Sequence, residues 1–309
     1  SGNKNYLFGK VTELNNGDNY NHTLHELGLH NIKSIHQRNN SVTILMKCGE
    51  IYSYGEYLHV SEDQSSPNKV ELTNVKDVVC GEFYTVALTH NEEIYSWGAN
   101  CDGELGFGDN YIRESPEKIQ LGNIKFISCG RSHNAVVSTN DELYIWGSNC
   151  YGQLGLGDIL DRNLPQKLNL ENIISVSCGE YHTVVLLRYL CYVWGHNYHG
   201  QLGLGDTNSR NTPHKLILPD IMSIKCGHDY TIALMKYGEI YIFGSMMRGT
   251  CSQKLALSNI IEIYCGAKHV VALSNSDEIY VWGSNNYGQL GLGENRFARS
   301  KPTKLEIKI

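Results

Sequence analysis

Along most of the chain, apolar and β-branched residues come in short runs, each closed by glycine, asparagine or a charged pair. Runs of this kind with turn residues at both ends predict strands, and no window carries the 3.6-residue spacing of an amphipathic helix. The stretch from 172 to 218 shows the pattern in full. Asn172–Cys178 (NIISVSC) reads as a first strand, A, and Gly179–Tyr181 as a tight connection. His182–Leu187 (HTVVLL) reads as strand B, and Cys191–Trp194 (CYVW) as strand C, stopped by Gly195. A glycine-rich turn follows, and strand D is read from Pro213 to Leu218.

The same order recurs along the chain. An aromatic–glycine pair closes strand C seven times, at Gly9, Gly55, Gly98, Gly147, Gly195, Gly244 and Gly283, with spacings of 46, 43, 49, 48, 49 and 39 residues. A second marker, Cys-Gly, closes strand A at Cys80, Cys129, Cys178, Cys226 and Cys265, and His36-Gln37 is read in its place in the first copy. A four-stranded repeat of this length exceeds the rung of a β-solenoid and suits the blade of a β-propeller. A lone four-stranded sheet cannot bury both its faces; stacking copies around an axis buries them and shields the strand edges. The expected fold is all-β, a single propeller domain over residues 3–309, with Ser1-Gly2 read as a cloning scar. Strands C and D occur seven times, strands A and B six times. Two arrangements follow: seven blade positions with one incomplete, or a six-bladed ring with an added C–D unit. The first is the expectation, and a parent polypeptide running past Ile309 would complete it.

Composition narrows function more than fold. The 309 residues carry 26 Lys and Arg against 32 Asp and Glu, a net charge of −6, with no run of five basic residues. Phosphate neutralisation is a poor basis for binding here, so direct nucleic-acid binding is not expected. No apolar stretch reaches the ~20 residues of a membrane-spanning helix, and no membrane association is expected. Ten cysteines without a Cys-x-x-Cys fit an intracellular protein with reduced thiols, nuclear or cytoplasmic.

The repeated motifs read as framework. Gly152–Asp158 and Gly200–Asp206 have the spacing Gly-x-x-Gly-x-Gly, with no Gly-Lys-Ser/Thr after them and no helix to open, so they read as turns and not as phosphate loops. Sheets pack about 10 Å apart, too far for the five repeat cysteines to share a zinc ion or a disulfide. They read as small packing residues, whereas Cys101 and Cys150 fall in turns and are expected to be exposed. Four residues after the cysteine stands His133, His182 or His269, or else Tyr84 or Tyr230. A position that alternates His with Tyr points to hydrogen bonding rather than catalysis. Trp97, Trp146, Trp194 and Trp282 end strand C and are expected to fill space between blades. No nucleophile–base pair, metal cluster or cofactor motif emerges, so neither enzymatic activity nor a cofactor or metal is expected.

What varies inside this frame is the A–B loop. Its residues are Arg38, Glu82 and Phe83, Arg131, Glu180 and Tyr181, His228 and Asp229, and Lys268. In a propeller these loops open on one face near the channel mouth, and loops on a rigid scaffold are where binding chemistry sits. Phe83 and Tyr181 are candidate aromatic anchors, and Arg131 is a residue type enriched in interface hot spots. These nine residues form the candidate partner-binding face.

The combination Cys-Gly-x-x-His-Thr, Glu-Ile-Tyr-x-Trp-Gly-x-Asn-x-x-Gly-Gln-Leu-Gly-Leu-Gly-Asp and Pro-x-Lys-Leu resembles the regulator-of-chromosome-condensation repeat over residues 5–309, most closely in Cys129–Gly205 and Cys265–Gly293. The resemblance implies a seven-bladed propeller. It also implies a protein-interaction scaffold, as in family members within giant HECT ubiquitin ligases. The alternative it implies is guanine-nucleotide exchange on a Ran-type small GTPase, with Glu82, Glu180, His228 and Asp229 on the appropriate face. The glycine-rich turn departs from the family pattern at Thr12–Asn19, at Glu56–Ser66 and after Ser245. No repeat exceeds 49 residues, which leaves no room for the protruding β-wedge of the family's exchange factor.

Overall fold

The computed structural model describes residues 31–38, 41–55, 68–246, 251–293 and 296–306. Within them the chain forms 24 strands in six antiparallel four-stranded sheets. Blade one is β1 (Ile32–Arg38), β2 (Ser41–Met46), β3 (Ile51–Gly55) and β4 (Asn68–Val70); blade two is β5 (Val75–Cys80), β6 (Tyr84–Thr89), β7 (Ile94–Gly98) and β8 (Arg113–Lys118). Blade three is β9 (Ile124–Cys129), β10 (His133–Ser138), β11 (Leu143–Gly147) and β12 (Arg162–Leu168); blade four is β13 (Ile173–Cys178), β14 (His182–Leu187), β15 (Cys191–Gly195) and β16 (Arg210–Leu216). Blade five is β17 (Ile221–Cys226), β18 (Asp229–Met235), β19 (Ile240–Ser245) and β20 (Cys251–Lys254); blade six is β21 (Ile260–Cys265), β22 (His269–Ser274), β23 (Ile279–Gly283) and β24 (Arg299–Lys304). In every blade the strands pair in chain order, A to D. Strand A of each blade from two to six packs on strands A and B of the blade before it. Of the two arrangements, the six-bladed propeller is the one that matches; the extra C–D unit read at Tyr6–Gly9 lies outside the described residues.

Strand B of blade four falls where the sequence places it, and strand C gains only its closing Gly195. Strands A and D differ. Asn172 has a φ of 59°, in the left-handed region that asparagine tolerates, and its carbonyl accepts the N–H of Arg188. It therefore closes the turn before the strand, and strand A begins at Ile173. Strand D runs from Arg210 to Leu216, so Pro213 lies inside it. As the outermost strand it tolerates a residue with no N–H, because its far side has no ladder to feed.

The first-copy marker also moves. Gln37 pairs with Val42 as Cys80 pairs with Thr85, so Gln37-Arg38, not His36-Gln37, stands where the other blades have Cys-Gly. The glycine has a steric cause. In blades two to six the His or Tyr three residues later lies directly over it: a Cβ on Gly179 would fall inside the His182 ring, and one on Gly81 inside that of Tyr84. In blade one Ser41 takes the ring's place, and a glycine is no longer required.

The core is divided among the seams between blades. Ala135 and Val137 of blade three pack with Ile173, Val185 and Leu187 of blade four. Val184 and Leu186 of blade four pack with Ile224, Ala233 and Met235 of blade five. Each such side chain, fully buried, contributes about 1.5–3 kcal/mol. Strand B is buried along its whole length in blades two, three and four, so it serves two seams at once.

Candidate partner-binding face

Antiparallel pairing sets the face. His182, which opens strand B, pairs with Gly195, which closes strand C. The A–B loop and the start of the C–D turn therefore lie at the same end of each blade. There the main chain laces neighbouring blades together. The N–H of Glu82 donates to the Arg131 carbonyl at 2.8 Å, Arg131 to Glu180 at 3.0 Å, Glu180 to His228 at 3.0 Å and His228 to Ala267 at 2.9 Å. This belt runs from blade two to blade six. Because the backbone carries it, the side chains at these positions are free to vary.

Behind the belt lies the His/Tyr position. His133 Nε2 is 3.0 Å from Thr183 Oγ1, and His182 Nε2 is 3.0 Å from Thr231 Oγ1, each in the next blade. Both hydroxyls donate to backbone carbonyls, of Gln153 and Gln201, so each accepts the imidazole Nε2–H. Tyr84 and Tyr230 donate instead to the carbonyls of His133 and His269. Burial pushes His182 down to about 3, which keeps the ring neutral. The position fastens one blade to the next, as its His/Tyr alternation implies.

On the outer side of the belt the structure joins five of the nine candidate residues. Arg131 lies between two carboxylates, with Nε 2.5 Å from Glu82 and Nη1 3.0 Å from Glu180. His228 Nδ1 stands 3.4 Å from the other Glu180 oxygen. The Arg131 guanidinium also lies 5.7 Å from the centre of the Tyr181 ring. Phe83 is 44% exposed beside this chain of charges. Asp229 is half-buried in the first position of β18. Lys268 is exposed on blade six, one residue beyond the belt. Arg38 closes β1 at the glycine's place, one position before the register of Glu82, and its side chain lies outside the described set.

Sequence reasoning missed an aromatic group beside these residues. Tyr151 meets Tyr181 edge-on at 4.9 Å between ring centres and His196 at 4.5 Å; His196 in turn stacks with Tyr198 at 6.3 Å, and His199 closes the group. Tyr151 and Tyr198 are 41% and 72% exposed. Burial lowers the pKa of His196, opposed by the nearby Asp229 and Glu180. All four come from the start of a C–D turn, which the glycine pattern marks only as framework. The signal that finds them is the pairing of strands B and C, which places that turn next to the A–B loop. Asp102, at the place of Tyr151 in blade two, has its pKa raised by burial and by Asp161, and adds acidic character to the face. Of the cysteines, Cys129 and Cys178 are buried, and Cys101 and Cys150 exposed. Burial pushes the Cys226 and Cys265 thiols up to about 12. Among the described residues no group of three or more His, Cys, Asp or Glu is arranged to hold a metal ion, and no helix is long and apolar enough to cross a membrane.

Six four-stranded blades laced by a loop belt define a β-propeller scaffold with one decorated face. Within that class the chain belongs to the RCC1-like domain family: residues 3–256 match the profile of the RCC1-like domain, and residues 260–289 and 276–308 match that of the regulator of chromosome condensation (RCC1) repeat. Among relatives it is 33% identical over 86 residues to the human E3 ubiquitin-protein ligase HERC2, covering 25% of this chain and 2% of that protein. It is 48% identical over 48 residues to the Arabidopsis thaliana mitochondrial RCC1 domain-containing protein RUG3, covering 15% of this chain and 11% of that protein. The chain thus matches only a small part of the length of these relatives. Human WBSCR16 has the same fold, with a TM-score of 0.79 at 21% identity, over 89% of this chain and 82% of the other. Yeast RCC1 (Prp20), solved bound to Kap60, gives 0.76 at 22% identity, over 89% and 75%.

Proposed function

We propose that this chain is a protein-interaction scaffold whose partner face is the A–B loop and C–D turn end of blades two to five. One observation carries this reading. The belt holds the loop backbones in a common geometry, while the side chains on it differ from blade to blade: Glu82, Arg131, Glu180 and His228, with exposed tyrosines alongside. A rigid frame that presents varied charge and aromatic surface, with Tyr and Arg at its centre, suits recognition of another protein. An intracellular setting goes with this reading.

The second reading is guanine-nucleotide exchange on a Ran-type small GTPase. It is favoured by family membership and by the likeness to Saccharomyces cerevisiae Prp20p, which was solved in a study of that protein's binding to Gsp1p and histones. Such a factor needs no covalent chemistry; it would act by stabilising the nucleotide-free GTPase.

Two assays separate the readings. Release of a fluorescent guanine nucleotide from a Ran-type GTPase is expected to be unchanged by this chain, and acceleration by orders of magnitude would establish exchange instead. In parallel, proteins captured from a lysate by the chain are compared with those captured by a Tyr198→Ala/Asp229→Lys variant of unchanged circular dichroism. Loss of specific partners is expected. Retention of every partner would rule this face out.

A further inference from the structure

Strand A carries the same irregularity in each of the six blades. Ile173 pairs with Leu187 and Ser175 with Leu186, so Ile174 stands outside the ladder with no partner of its own. The same one-residue bulge leaves out Lys33 in β1, Lys76 in β5, Lys125 in β9, Met222 in β17 and Ile261 in β21. A bulge bends its strand and re-aims the extra side chain. Each A strand packs on the A strand of the blade before it, so the bulged residues form one row along the inner wall. At one point contact along the row is direct: Lys33 Nζ donates to the Lys76 carbonyl at 2.5 Å.

The row is divided by chemistry. Blades one to three supply the lysines, and blades four to six supply Ile174, Met222 and Ile261, which are 47%, 46% and 48% exposed. The B–C turns beside the row follow the same division. One turn position is Asn91 in blade two, Asn140 in blade three and Ser276 in blade six, but Tyr189 and Tyr237 in blades four and five, 83% and 74% exposed. Exposed apolar side chains gathered in one place mark an interaction surface, whereas single ones do not. On the cationic half, Lys125 is paired with Asp141 at 3.0 Å. Asp77, next to Lys76 in β5, spends Oδ1 on the N–H of Val78. Lys33 and Lys76 form no ion pair among the described residues and are the cations left to an outside anion.

We propose that this row is a second docking surface, which takes an acidic amphipathic peptide segment of a partner protein. Its apolar side chains lie on Ile174 and Met222 between Tyr189 and Tyr237, and its carboxylates meet Lys33 and Lys76. A nucleic-acid backbone would leave the apolar half uncovered, and a lipid surface is matched by cations around an apolar patch, not to one side of it. The row lies where strand A begins, at the opposite end of the blades from the A–B loops, so this surface and the loop face do not depend on each other.

The test pans a phage library of random peptides on the 309-residue chain, with a Lys76→Glu/Met222→Lys variant of unchanged circular dichroism as the counter-selection. Peptides enriched in Asp or Glu together with Leu, Ile or Phe are expected. The best of them, made synthetically, is expected to bind the chain saturably in calorimetry. Lys33→Glu, Lys76→Glu and Met222→Lys are each expected to weaken that binding about tenfold or more. Lys76→Arg and Met222→Leu keep it, and so does the loop-face variant Tyr198→Ala/Asp229→Lys. Peptides without acidic enrichment, or binding that the row variants leave unchanged, would overturn the proposal. So would co-sedimentation of the chain with phosphatidylserine vesicles that Met222→Lys abolishes, because the surface would then be a lipid site.

Discussion

At the scale of single residues, the repeat uses a few side chains in the same way in each blade, and His182 is the one whose chemistry can be read by titration. Its ring is held near 3 in the fold against an ordinary 6.5. Between those values the unfolded chain binds a proton that the folded chain refuses. Stability is therefore complete above about pH 6.5 and falls as the pH drops, by up to about 1.4 kcal/mol per unit from this group. Tyr84 and Tyr230 do the same fastening without a titrating ring. His182→Tyr is expected to lose about 2 kcal/mol less than wild type between pH 7 and pH 5, read from urea midpoints at the two pH values. Equal losses would mean that other groups set the acid limit. The His/Tyr alternation itself was legible in the sequence, as were Glu82, Arg131, Glu180, Tyr181 and His228 as loop residues. Their joining was not, because the hydrogen bonds that align them belong to the backbone, which every sequence shares. Tyr151, His196 and Tyr198 were missed because the glycines around them explain the turn so fully that its remaining side chains drew no notice.

At the scale of elements, the glycine-rich C–D turn is the acceptor that locks the next blade. Its Asn is fully buried: Asn149 Oδ1 accepts the N–H of Leu154, and its Nδ2 donates to the carbonyls of Asp158 and Leu160. The turn so held offers the Gln153 carbonyl to Trp194 Nε1 at 2.8 Å, and the Glu104 carbonyl to Trp146 at 2.9 Å. Gly155 is required in the same contact, since a Cβ there would lie 2.8 Å from the Trp194 nitrogen at a φ of 68°. Blade five departs from this. Its repeat is the shortest, 39 residues from Gly244 to Gly283, and Trp282 Nε1 of blade six is buried with no acceptor among the described residues. An unpaired buried donor contributes nothing and carries a desolvation cost. Phe243 shows that phenylalanine fits the site. Trp194→Phe removes one hydrogen bond to a carbonyl that still accepts from Thr183, and is accordingly expected to cost about 0.5–1.5 kcal/mol more than Trp282→Phe. Denaturant midpoints at unchanged m-value measure the difference. Equal costs would mean that ring volume, not the hydrogen bond, decides the position.

At the scale of the whole molecule, the four-stranded repeat was legible because two markers, aromatic–glycine and Cys-Gly, recur in step, and the described residues form six such blades. A blade buried on both sides opens only when two seams part. Blade four has both its seams filled, by Ala135 and Val137 on one side and by Ile224 and Ala233 on the other. Among the described residues blade six has one, and its His269, Val271 and Leu273 are half-buried. Local opening therefore costs less there, and amide exchange reports that cost directly. The strand-B amides of Val270–Leu273 are expected to exchange at least about tenfold faster than those of Thr183–Leu186 under native conditions, a gap of roughly 1.4 kcal/mol or more in opening free energy. If the two blades exchange alike, opening is global, and the single filled seam of blade six is as strong as the two of blade four. If blade six exchanges faster, the half-buried row of its strand B sets the weaker end of the propeller, and the filled seams of blade four set the stronger.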